Sequence, residues 1–178
     1  MLEELNLYAV KVDIKVLWSD MDISQQVNST RFFCWFEVAR VEYFIRLGLV
    51  IIDNDEEPGF RVKQQSIAYQ TPVNFPDTIV IGIRAIFADQ NKIELEAAFY
   101  SRRHHTLVAK ANVSMEAFSY QKNAASLIPI NIQRRVSQLD EIQIEESGTQ
   151  EKFDLNAAIP EFSDEEIASE WLGELPKT

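Results

Sequence analysis

The sequence predicts an α+β domain, with one long buried helix covered by an antiparallel sheet of about five strands. Three observations carry this. Residues 8–18 alternate apolar and charged side chains, the period of a half-buried strand. Residues 30–49 pack large apolar residues at helical spacing. Four more strand-like segments then follow one another across short turns. Consecutive hairpins make an antiparallel sheet, and a helix this apolar must be covered by it.

The first strand puts Tyr8, Val10, Val12, Ile14, Val16 and Trp18 on one face, with Lys11, Asp13 and Lys15 on the other. The polar stretch 19–30 reads as a turn before the helix. In the helix, Phe32, Phe36, Ala39, Tyr43 and Leu47 recur at spacings of three and four, and Phe33, Val41, Phe44 and Ile45 widen the apolar face. Gly48 is placed to cap its end. A charged loop at 53–59 leads to strands at 60–70, 78–88, 92–102 and 106–118. Pro72, Pro76 and Asp77 interrupt the first pair, and 89–91 and 102–105 are hairpin turns. A short helix is expected after Pro129, and a short amphipathic one at 164–175, where Ser163 and Glu166 have capping-box spacing ahead of Ile167, Trp171 and Leu175.

The 178 residues are 46% hydrophobic and 25% charged, enough apolar material for a sizeable core. The net charge of −11 is unevenly spread. Residues 1–138 hold 15 Lys+Arg against 16 Asp+Glu, whereas 139–178 hold 2 against 12. The chain therefore divides into a near-neutral domain, 1–138, and an acidic C-terminal extension, 139–178. This balance argues against nucleic-acid binding, which needs a basic face. Trp171 offers the extension an anchor for a partner, or for packing on the protein's own dimer. The single Cys34 excludes an intramolecular disulfide and any Cys-based zinc site. The start of the chain lacks the pattern of a signal peptide, and no apolar run approaches the ~20 residues of a membrane span. A soluble, cytoplasmic protein is expected.

Chemistry is most concentrated at 18–40. Asp20 and Asp22 lie in a polar loop before the helix, and the helix start near Asn28, Ser29 and Thr30 offers backbone N–H donors at a positive dipole end. A carboxylate with such donors is the minimum apparatus for attack on an acyl carbonyl. The alternative is that either acid simply orders the loop. Glu37 is a third carboxylate, with Arg40 three residues on as its partner. Arg102 and Arg103 could meet phosphates or belong to a solvated turn. His104 and His105, in that same turn, lack partners for a metal site. No Gly-rich phosphate loop, dinucleotide fingerprint or serine nucleophile elbow is present.

The segment DMDISQQVNSTRFFCWFEVAR resembles the signature of hotdog-fold acyl-CoA thioesterases of the 4-hydroxybenzoyl-CoA thioesterase type. The match runs without a gap through Asp20, Asp22, Val27, Asn28, Phe32, Trp35, Glu37, Ala39 and Arg40, and YQTPVNFPDTIVI at 69–81 is similar to the segment preceding that family's third strand. The resemblance implies a hotdog fold over 8–120, a long central helix wrapped by a curved antiparallel sheet of about five strands, and hydrolysis of an acyl-CoA, or acyl-carrier-protein, thioester. It implies Asp22 as the catalytic carboxylate, as nucleophile or as base for a water, with an oxyanion-hole N–H at Ser29 supported by Asn28. A second branch of hotdog enzymes uses a carboxylate within the helix, which makes Glu37 the alternative. CoA would enter only as part of the substrate, with no further cofactor and no metal. The implied assembly is a homodimer joined sheet edge to sheet edge, with a tetramer as a further state. Gln25-Gln26 replaces the family's Gly-His, and Ser29 its second Asn. Losing the glycine removes easy access to positive φ, and losing the histidine removes a group titrating near neutrality. These departures motivate a second reading, a hotdog protein that binds acyl-CoA or an acyl group without cleaving it.

Overall fold

A computed structural model describes residues 5–49 and 59–144. The expected helix at 164–175 and most of the acidic extension lie outside the described residues.

Among the described residues, six strands form one antiparallel sheet: β1 (Val10–Lys15), β2 (Gly59–Tyr69), β3 (Thr78–Ala88), β4 (Lys92–Ser101), β5 (Thr106–Ser119) and the two-residue β6 (Ala124–Ala125). The spatial order is β1-β3-β4-β5-β2, with β6 beside β5. The central hairpins come from local turn chemistry. At the β3–β4 turn the Asp89 carboxylate accepts from the backbone N–H groups of Asn91 (2.8 Å) and Lys92 (2.6 Å). At the β4–β5 turn Ser101 Oγ accepts from the His104 N–H (2.9 Å). The strand expected at 8–18 is shorter, because Trp18–Asp20 winds into a 3₁₀ turn.

Helix α1 (Ser29–Arg46) lies across one face of the sheet. Its 18 residues contain neither Gly nor Pro. Phe32, Trp35, Phe36, Ala39, Tyr43 and Leu47 are buried against β3, β4 and β5 residues that include Ile79, Ile81, Leu95 and Phe99. Phe36 and Tyr43 are fully buried, and truncating such an aromatic costs about 3–5 kcal/mol. The covering is one-sided: Phe33, Val38 and Ile45 stay exposed. The helix stops at Gly48, whose φ of +73° favours glycine and whose N–H reaches the Ile45 carbonyl at 2.9 Å.

On the opposite face of the sheet, Leu5 and Tyr8 pack on Val80, Ala98 and Tyr100. Gly82 lets the Tyr8 ring lie on the sheet, since a Cβ there would come within 2.6 Å of it. Helix α2 (Ile130–Asp140) returns to the α1 side and buries Ile132 and Val136 in the main core. Arg135 Nη1 donates to the Leu47 carbonyl (2.7 Å), satisfying an end group of α1.

One connection matters for function. β2 is the far edge of the sheet and β3 lies three strands away, so residues 70–77 must cross about 14 Å at the strand ends. That crossing runs alongside the loop that enters α1: Val27 N–H donates to the Val73 carbonyl (2.7 Å) and Asn74 Nδ2 to the Gln25 carbonyl (2.6 Å).

Candidate active site

The two loop acids occupy opposite environments. Asp20 is buried, with 2% of its surface exposed. Its carboxylate accepts from the Leu17 N–H (2.8 Å) and pairs with Arg31 Nε (2.7 Å), and its carbonyl accepts from the Asn28 N–H (2.9 Å). All of this joins the 3₁₀ turn to the start of α1. Asp22 is exposed. Its Oδ1 accepts from the Ser24 N–H (2.8 Å), and the other oxygen has no protein partner among the described residues.

Asp22 sits in a tight hairpin. Met21 and Val27 form an antiparallel bridge. Inside it, Asp22 N–H donates to the Gln26 carbonyl (2.8 Å) and Gln25 N–H to the Asp22 carbonyl (3.0 Å). Gln25 closes the turn with φ +58°, the left-handed conformation that glycine supplies most easily.

Asn28 is the N-cap of α1. Its Oδ1 accepts from the Thr30 N–H (2.9 Å) and from Thr30 Oγ1 (2.8 Å), while its carbonyl accepts from the Arg31 N–H (2.9 Å). Asn28's own N–H is committed to Asp20. In this first turn the Ser29 N–H is the donor without a protein partner among the described residues. The Tyr69 hydroxyl donates to the Ser29 carbonyl (3.1 Å), and its ring stands edge-on to Phe32 at 5.2 Å. Burial raises the Tyr69 phenol above its ordinary pKa, partly countered by that hydrogen bond.

Glu37 is on the exposed side of α1 and pairs with Arg40, as its spacing predicts. Arg40 is itself buried and lies over the Phe36 ring at 5.5 Å. Desolvation lowers its pKa from the ordinary value. Glu37 is not brought to Asp22 by any contact.

Arg102 and Arg103 line an open cleft of about 560 Å³ with Lys15, Leu17, Phe75 and Pro76. Arg102 pairs with Asp13 (2.6 Å), both being over half exposed, and Arg103 Nη1 reaches the Pro76 carbonyl at 3.4 Å. Trp18 is 70% exposed and stands edge-on to Phe75 at 5.9 Å beside this cleft. Val73 and Asn74, which hold the hairpin, lead in sequence into Phe75 and Pro76 of the cleft, whose lining does not include Asp22 or Ser29. His104 and His105 stay in the turn, and no cluster of three metal-ligating side chains occurs among the described residues.

Lys15 and Asn74 were not singled out from the sequence. Lys15 read as a solvated strand position, and Asn74 gave no signal, because its role arises only where the crossing meets the hairpin.

An antiparallel sheet of about six strands with the 18-residue helix α1 laid on one face, shorter than the long central helix expected, matches the hotdog fold of thioesterase-type domains. The chain belongs to the thioesterase-like superfamily, whose pattern it matches over residues 16–139. It is similar to the solved PA5185 protein of Pseudomonas aeruginosa strain PAO1, at 24% identity and TM-score 0.68, covering 75% of this chain and 93% of that one. It is also similar to a thioesterase of Thermus thermophilus solved with coenzyme A and zinc, at 20% identity and TM-score 0.67, covering 77% and 98%. A 1,4-dihydroxy-2-naphthoyl-CoA thioesterase of Synechocystis matches at 15% identity and TM-score 0.66, covering 74% and 97%. At these identities the likeness is one of fold. No curated protein sequence matches the chain.

Proposed function

We propose that the protein hydrolyses acyl-CoA thioesters with Asp22 as its carboxylate. The observation that carries this is that, seven residues apart, the loop and the helix start it leads into offer a carboxylate oxygen and a Ser29 N–H that both lack protein partners among the described residues. The superfamily and the CoA-bound Thermus protein support CoA as the thiol half. Acyl-carrier protein presents the same thioester.

In the water-activating form, Asp22 takes a proton from a water whose oxygen bonds to the thioester carbonyl carbon. The carbonyl π electrons move to oxygen, and the Ser29 N–H and the positive end of α1 stabilise that charge. As the carbonyl re-forms, the C–S bond breaks. The proton held by Asp22 goes to the departing thiolate, giving free acid and CoA thiol. In the nucleophilic form an Asp22 oxygen bonds to the carbonyl carbon and the C–S bond breaks, releasing CoA thiolate, which takes a proton from water; a second water then adds to the mixed anhydride and its C–O bond breaks, giving the free acid and returning the Asp22 carboxylate. Lys15, Arg102 and Arg103 face the CoA phosphates as charge-assisted donors.

The active assembly is a homodimer. The outer edge of β2 is unpaired among the described residues over eleven residues, a ready template for a second copy. Sedimentation of the purified protein at twice the chain mass supports this; a monomer contradicts it.

The decisive test is release of free CoA from aromatic, medium-chain and branched acyl-CoAs. Turnover of at least one supports the hydrolase. The alternative, acyl-CoA binding without cleavage, draws on the solvent exposure of Asp22 and the Gln25-Gln26 replacement. Thermal stabilisation by acyl-CoA with no thiol released would favour it.

A further inference from the structure

We propose that Asn74 is a positioning residue, whose side-chain amide holds Gln25 in the left-handed conformation that shapes the Asp22 hairpin. The proposal deepens the assignment of Asp22 and rests on it for its effect on catalysis.

Gln25 has φ +58°, where its Cβ crowds the following carbonyl. Two hydrogen bonds of the hairpin straddle it: its own N–H to the Asp22 carbonyl, and the Asp22 N–H to the Gln26 carbonyl. Relaxing Gln25 to negative φ breaks both. The Asp22 side chain would then be displaced, because Ser24 N–H is its one protein tether among the described residues. Something outside the hairpin must hold the strained residue.

Asn74 is placed to do so. Its Nδ2 donates to the Gln25 carbonyl at 2.6 Å. Its neighbour Val73 is buried, and the Val73 carbonyl takes the Val27 N–H at 2.7 Å. Two adjacent residues of the crossing segment therefore grip the hairpin, one at its turn and one at its base. A glycine at 25 would adopt the same φ unaided. Asn74 thus compensates for a side chain where the related signature carries glycine.

The test is a double-mutant cycle on the full chain. Asn74→Ala, and Asn74→Asp, which keeps the shape but loses the donor, should lower kcat about tenfold with KM within about twofold. In the Gln25→Gly background the same changes should leave kcat within about twofold, because glycine needs no tether. Thermal melting gives a readout independent of turnover. Asn74→Ala should lower Tm by about 2–4 °C with Gln25 and under about 1 °C with Gly at that position. Equal losses in both backgrounds, or no loss in either, overturn the proposal. If no thioester is cleaved by the unaltered protein, the hydrolase reading fails, and the melting cycle still decides whether Asn74 holds Gln25.

Discussion

Two aspartates bracket α1, and their surroundings are opposite. Asp22 precedes the helix, in solvent, with one local hydrogen bond. Asp140 ends α2 and reaches the core side of α1. Its Oδ2 accepts from the Tyr43 hydroxyl (2.5 Å) and from the Ala85 N–H (2.9 Å), while Oδ1 is buried without a partner among the described residues. Ala85 lies beside the bulge in β3, where the regular ladder with β4 shifts. Asp140 therefore supplies an acceptor where the sheet's register is broken, and fastens α2 to helix and sheet together. Burial raises the Asp140 carboxyl above its ordinary pKa, despite the opposing hydrogen bonds from Tyr43 and Ala85. Burial and the neighbouring Asp140 likewise raise the Tyr43 phenol. The contrast separates a buried carboxylate that ties helix and sheet together from one left open to solvent.

The largest expected effect is on the structural side. Asp140→Ala leaves the Tyr43 hydroxyl and the Ala85 N–H without their acceptor and should cost about 3 kcal/mol in denaturant unfolding. Turnover per folded molecule should hold; its collapse in a folded variant would break the division between the two aspartates.

The same residue predicts a pH dependence. The folded state holds the Asp140 proton more tightly than the unfolded chain does. Its stabilisation is therefore complete below the ordinary carboxylate range and is lost as pH rises through the raised folded value. Asp140→Asn keeps a side-chain oxygen as acceptor and should flatten the stability profile across that window.

A smaller effect belongs to the cleft. Arg102→Ala should raise KM for acyl-CoA about tenfold with kcat unchanged, if its guanidinium meets a phosphate. An unchanged KM would return Arg102 to its surface pair with Asp13. The smallest effect concerns the strained turn: Gln25→Gly should stabilise the fold by about 0.5–1 kcal/mol, relief of left-handed strain outweighing the added chain entropy.

Much of this fold was readable because its signals are local. Strand periodicity located β3, β4 and β5 to within a residue or so, and the spacing of Phe32, Phe36, Ala39 and Tyr43 located α1. The Glu37–Arg40 pair followed from i, i+3 geometry. The separation of Asp20 from Asp22 was not readable. Two acids with one residue between them look alike until the 3₁₀ turn buries the first beside Arg31 and the hairpin exposes the second. Asp140 read as part of a charge block, since its partners, Tyr43 and Ala85, are 97 and 55 residues away. Asn74 was silent for the same reason: its contact with Gln25 spans 49 residues and depends on the crossing between β2 and β3.

The rate of CoA release by Asp22→Asn tests whether Asp22 is the working carboxylate of the proposed hydrolysis. Asparagine keeps the acceptor for the Ser24 N–H, so the fold should melt as before. kcat should fall about 100- to 10,000-fold on any acyl-CoA that the unaltered protein cleaves. A folded Asp22→Asn variant with unaltered kcat would remove Asp22 from the reaction.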